Sequence, residues 1–123
     1  MLPILVVADA EPRRRLADIL RQAGYFVTEA DSGESAINLA YSVSPKLILM
    51  AIVMQDSNGL EAAAKLRRIS DFQSLPIILL GSVPPIGMND EPLASLVSGF
   101  LNIDASAKEL LATVRSHLPV NDQ

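Results

Sequence analysis

A parallel α/β sheet with helices on both faces is the architecture the sequence predicts, on three observations. Five short apolar runs alternate with amphipathic stretches along the 123 residues. Three of those runs are apolar throughout, as expected of strands covered on both faces of a parallel sheet. Prolines and glycines fall between the runs and the stretches, where turns and helix ends belong. The alternation βαβαβαβαβα implies right-handed crossovers and a single sheet.

The first strand is PILVVA, residues 3–8. After Pro12, the residues Leu16, Ile19, Leu20 and Ala23 share one helical stripe, and Gly24 follows as a stop. YFVTEA, 25–30, reads as the second strand. From Ser32 the residues Ala36, Ile37, Ala40 and Val43 repeat at helical spacing until Pro45. KLILMA, 46–51, is the third strand, and Leu60, Ala63, Leu66 and Ile69 form the next helical stripe. PIILLG, 76–81, is the fourth strand. Residues 82–99 carry three prolines and two glycines, so a loop over 82–91 and a short helix near 92–98 are expected. FLNI, 100–103, is the fifth strand, and Leu110, Leu111, Val114 and Leu118 stripe a last helix ended by Pro119. One domain over 1–119 and a frayed tail over 120–123 follow.

Composition narrows the function. Half of the residues are hydrophobic and 20% are charged, an ordinary globular balance. There is no cysteine, which removes disulfides, thiolate zinc sites and cysteine nucleophiles and fits a reducing cytosol. A net charge of −4 makes direct nucleic-acid binding a poor fit. The amino terminus lacks the pattern of a signal peptide, and no apolar run approaches the roughly 20 residues that cross a bilayer. A cytoplasmic domain without membrane contact is expected.

In open parallel sheets the working site lies beyond the carboxyl ends of the strands. Those ends deliver Asp9, Ala10 and Glu11; then Ala51, with Asp56, Ser57 and Asn58 in its loop; then Gly81 and Ser82; then Asn102, Ile103 and Asp104. Several of these have bland readings too. Asp9 suits a helix N-terminus as cap or electrostatic partner. QDSNG is turn chemistry. The run Arg13 to Arg15, with Arg67 and Arg68, reads as solvated helix faces, and His117 suits a helix C-terminus. Met50 and Met54 read as core filler.

The segments ILVVADAEPRRRLADILRQAGY, PKLILMAIVMQDSNGLEAAAKLR, LPIILLGS and GFLNIDASAKELLATVRSHL resemble, in order and spacing, the receiver domain of bacterial two-component response regulators. The resemblance covers residues 3–118 and implies a flavodoxin-like (βα)5 fold with strand order 2-1-3-4-5. It also implies a phosphorylation chemistry. Two acids after the first strand hold Mg²⁺, an aspartate ending the third strand attacks phosphorus, a Thr or Ser follows the fourth strand, and a Lys before proline ends the fifth. A carboxylate nucleophile meeting an anionic phosphoryl group needs those cations and that donor.

Against that pattern Ala51 takes the phosphoacceptor position and Gly81 the hydroxyl position, with Ser82 one residue on. Ile103 takes the lysine position and Asp104 that of the proline. One acid, Asp9, remains; it matches either member of the pair, with Ala10 beside it and Glu11 as a partial substitute. Asp9 alone would hold Mg²⁺ weakly, so no cofactor and no metal site are expected. A designed knock-out would change one residue, whereas several are missing here, which favours a natural pseudo-receiver. The expectation is a non-enzymatic, phosphorylation-independent signalling module. It would act through a protein partner or a homodimer, or as the receiver part of a longer chain with an output domain. The implied partner face is the fourth helix, fifth strand and fifth helix, with Leu96, Phe100, Leu101 and Lys108. Phe100 falls where receivers carry an aromatic that turns inward on activation. Two alternatives stand beside this reading: a small-ligand sensor using a roomier mouth lined by Ala51, Gly81, Ser82 and Ile103, and a receiver phosphorylated on Asp56 or Asp9.

Overall fold

A computed structural model describes residues 2–118. The expected helix stop at Pro119 and the tail over 120–123 lie outside the described residues. The main-sheet strands are β1 (Pro3–Val7), β2 (Phe26–Ala30), β3 (Leu47–Ala51), β6 (Ile77–Gly81) and β7 (Gly99–Asn102). A two-stranded hairpin, β4 (Val53–Met54) and β5 (Ser57–Asn58), follows β3. The helices are α1 (Ala10–Gln22), α2 (Gly33–Val43), α3 (Gly59–Arg67), α4 (Leu93–Leu96) and α5 (Ala107–His117), with a 3₁₀ turn at Ser70–Phe72.

The main sheet runs β2-β1-β3-β6-β7, all parallel. Counting its five strands alone, this is the order 2-1-3-4-5 of the expected flavodoxin-like fold. The three apolar runs are the inner strands β1, β3 and β6, and Leu5, Ile48, Leu49, Met50, Ile78 and Leu79 are fully buried there. Outer strands β2 and β7 are only partly covered. Helix α1 packs beside α5, and α2 beside α3. Met50 and Met54 are core residues as expected.

Local chemistry sets the boundaries. Ser32 caps α2 by accepting from Ser35 N. Ser106 and Glu109 form a reciprocal capping box on α5. Gly24 follows α1 with φ +98°, the left-handed region that glycine enters freely. Helix α1 starts two residues before Pro12, which sits inside its first turn, where a missing N–H costs nothing. Helix α4 is a single turn, shorter than the expected 92–98, and Ile69 lies past the end of α3.

The arginine run is not the solvated face expected of it. Only Arg14 fits that reading. Arg13 Nε donates to Glu29 Oε1 at 3.1 Å and its Nη1 to the Ala8 carbonyl at 2.9 Å. Arg21 Nη1 donates to Glu29 Oε2 at 3.0 Å, so one carboxylate ties α1 to β2 through two guanidinium groups. Burial pushes the Glu29 carboxyl up, but hydrogen bonds from Arg21 and Arg13 and their charges outweigh it and hold it below the usual carboxylate range. A depressed carboxyl contributes stability above its unfolded pKa and loses it as pH falls through its folded value. Between neutral pH and about pH 3 the native chain is therefore expected to lose about 1 kcal/mol more stability than Glu29→Gln, read from urea denaturation at each pH. Equal slopes would remove the ion cluster from the account.

Candidate functional site at the carboxyl ends of the strands

Asp9 directly precedes α1 with extended backbone and stands in solvent. Its carboxylate makes no side-chain cap on α1, contrary to the capping role considered for it. Oδ1 instead accepts from Gln55 N at 3.0 Å, pinning the loop after β3. The charge still lies at a helix N-terminus, where the dipole favours it. Ala10 and Glu11 occupy the exposed first turn of α1.

Ala51 closes β3 with 1% of its surface exposed. Its carbonyl runs directly beneath Gly59, where an added Cβ would stand 2.1 Å from Ala51 O. Gly59 N donates to Ile52 O at 2.9 Å, and β4 and β5 close the loop in between. Ser57 Oγ accepts from Gly33 N at 2.7 Å, bonding the loop to the start of α2. Asn58 Oδ1 accepts from Leu60 N and Glu61 N, at 2.8 and 3.2 Å, and caps α3. QDSNG thus does the backbone work its composition suggests, and Asp56 is an exposed turn residue.

Gly81 ends β6. A Cβ there would meet Ile52 Cδ1 at 3.3 Å and Phe100 Cε1 at 3.4 Å. Two hydrocarbon side chains therefore converge on a position that has none. Ser82 is exposed, and its carbonyl lies 3.4 Å from Asn102 Nδ2. Asn102 Oδ1 accepts from Asp104 N at 2.8 Å in a local Asx turn. Ile103 is half-buried, and its carbonyl accepts from Arg15 Nη2 at 2.9 Å, while Arg15 Nη1 donates to Ala105 O at 3.2 Å. Arg15 clamps the loop after β7, a second departure from the solvated arginine face.

The proposed partner face needs one correction. Leu101 is 8% exposed and belongs to the core, while Phe100, on the other side of its strand, is half-buried and packs against that core. Leu96 and Phe100 are half-buried and Lys108 is exposed. Arg67 is not a solvated residue either. It donates to Leu96 O at 2.9 Å and Phe72 O at 2.7 Å, joining α3 to α4 and the 3₁₀ turn, and burial lowers its pKa. His117, at the C-terminal end of α5, places Nδ1 2.9 Å from Thr113 O.

Neither of the two best-formed cavities, of about 760 and 230 Å³, is lined by Ala51, Gly81, Ser82 or Ile103. The tips of Ile52 and Phe100 instead flank Gly81. Among the described residues no group of three or more histidine, aspartate or glutamate side chains comes together. No described helix is long and apolar enough to cross a membrane. Reading the sequence missed Ile52, Gln55 and Arg15 as parts of this corner. Gln55 contributes only its backbone N–H, for which side-chain chemistry gives no signal.

Comparison with known proteins agrees with the fold. The family model of the response regulator receiver domain matches residues 4–115. Protein PilG of Pseudomonas aeruginosa is 29% identical over 121 residues, covering 96% of this chain and 88% of its own length. A probable transcriptional regulator, ycf27 of Guillardia theta, is 31% identical over 116 residues, which are 94% of this chain and 44% of that protein. The crystal structure of the chemotaxis response regulator CheY4 of Vibrio cholerae superposes with a TM-score of 0.85 at 26% identity, covering 96% of this chain and 99% of that one.

Proposed function

This chain belongs to the response regulator receiver domain family of two-component signalling, and on that premise we propose that it is a pseudo-receiver, signalling by protein contact without being phosphorylated. The observation that carries the proposal is the corner around Ala51. The residue in the acceptor position is a buried alanine, and the hydroxyl position is held by Gly81, which has no side chain to hold a phosphoryl oxygen. A methyl group cannot attack phosphorus, so no acyl phosphate forms at that position.

Mg²⁺ does not fit the residues present. It needs one or two carboxylates plus phosphate oxygens. Asp9 offers one carboxylate, with Oδ1 already engaged by Gln55 N. The position beside it on β3 offers none, and Ile103 supplies no ammonium to balance a phosphoryl dianion. Asp56 is a poor substitute acceptor, since it stands in solvent on a turn away from Asp9 and Ala51, although Lys65 lines the same small cavity. The domain performs no chemistry of its own in this reading.

Signalling then rests on the surface formed by α4, β7 and α5, with Phe100 already packed against Gly81. The partner is a protein, either a second copy or an output domain carried on a longer chain, in the cytoplasm. The test is an NMR titration of the native chain with beryllofluoride and Mg²⁺, which together mimic an aspartyl phosphate. Unchanged amide shifts at Asp9, Gln55, Ser82 and Asp104 are expected. Saturable shifts there would overturn the reading, and their loss in Asp56→Asn or Asp9→Asn would transfer the role to that aspartate.

A further inference from the structure

The larger cavity, about 760 Å³, opens at the opposite end of the sheet from Ala51. It lies where Lys46 leads into β3 and Pro76 into β6, between the C-terminal ends of α2 and α5. Its size falls within the several-hundred-Å³ range of small-molecule sites. Three features distinguish it from a surface dent.

The first is an aromatic wall. Tyr41 and Phe72 meet edge to face with ring centroids 5.1 Å apart. Phe72 is buried, and its carbonyl accepts from Arg67, which fixes that side of the wall. Tyr41 is 56% exposed although it is an aromatic residue on a helix. Its uncovered surface is available to a planar guest.

The second is charge. The cavity takes Lys46 and His117 as cationic or cation-capable groups against one carboxylate, Asp71, in a chain whose net charge is −4. His117 Nδ1 lies 2.9 Å from Thr113 O and 3.0 Å from Ser116 Oγ, which holds the ring at the cavity wall.

The third is backbone strain. Ser44, on the cavity wall, holds φ +47° and ψ +62° at the end of α2, a left-handed conformation that glycine would adopt at less cost. Strain of this kind clusters at ligand sites, and Ser44 lines this one together with Ser74 and Ser116.

We propose that this cavity is a binding site for a small planar aromatic monoanion, its ring against Tyr41 and Phe72 and its acid group toward Lys46. The inference is independent of phosphorylation, because none of its residues belongs to the corner around Ala51.

The test is a titration of the full ¹⁵N-labelled chain with 1-naphthoate and with its uncharged counterpart naphthalene-1-carboxamide. Saturable shifts centred on Tyr41, Ser44, Phe72 and His117 are expected, with a Kd of about 1 mM or tighter for a ligand of this size. The carboxamide should bind two- to about fivefold more weakly, as expected for loss of an exposed ion pair. Lys46→Ala should abolish that preference while leaving carboxamide binding unchanged, and Tyr41→Ala should weaken both probes about tenfold. Lys46 and Tyr41 are both exposed, and urea denaturation of each variant checks that the fold is kept, since Tyr41 packs on Phe72. Absent or scattered shifts, equal affinities for the two probes, or a preference that survives Lys46→Ala would overturn the proposal.

Discussion

Replacing Gly59 by alanine is expected to lower stability by about 3 kcal/mol, a large loss for a surface-free methyl group. The added Cβ would stand 2.1 Å from Ala51 O, 2.9 Å from Ala51 C and 3.1 Å from Ile52 Cα. All three are backbone atoms at the end of the central strand, so no rotamer change relieves the clash. Either α3 lifts away or the strand end moves, and both disturb the corner that holds Asp9, Gln55 and Ile52. Urea denaturation monitored by circular dichroism measures the effect. A loss below about 1 kcal/mol would show that the strand-to-helix junction is looser than described.

Rebuilding the acceptor site should produce the largest functional change. The combined variant Ala51→Asp, Gly81→Thr, Ile103→Lys is expected to become phosphorylated by acetyl phosphate with Mg²⁺. The new carboxylate oxygen attacks phosphorus, the bond from phosphorus to the acetate oxygen breaks, and acetate leaves. Together with Asp9 it provides two carboxylates for the metal, while the lysine and the hydroxyl offset charge on the phosphoryl oxygens. Ala51→Asp alone lacks the last two and should label about a hundredfold more slowly. The threonine Cβ must displace Ile52 Cδ1 by a few tenths of an ångström, which is possible because it is a side-chain tip, and it meets Phe100 Cε1 at an ordinary contact distance. Intact mass against time separates the variants. Equal labelling of the single and combined variants would mean that the missing lysine and hydroxyl were not what silenced the site.

The legible and illegible parts of this chain divide along physical lines. Strands β1, β3 and β6 were readable because burial on both faces demands unbroken apolar runs. Ser32 announced its helix by chemistry that acts within three residues, whereas Asn58 read only as a turn residue and is also the cap of α3. The β4–β5 hairpin was not readable, since two residues a side carry no periodicity. Arg13, Arg15 and Arg67 misled for a related reason. A long cation looks solvated in sequence, yet its partners are Glu29 and backbone carbonyls brought close only by folding. Leu101 fails as a partner-face residue because the side of its strand that it takes is the buried one, which a four-residue strand does not announce in sequence. In the site, the identities at positions 51, 81 and 103 were plain. What fills the space above Gly81 was not, because Ile52 and Phe100 are far apart in the chain and meet only when β6 lies between them.

Incubation of the unmodified chain with acetyl phosphate and Mg²⁺, followed by intact mass spectrometry, tests the central claim most directly. The account predicts a mass unchanged from that of the untreated protein at every time point. A stoichiometric phosphoryl adduct that maps to any aspartate of this domain would contradict it.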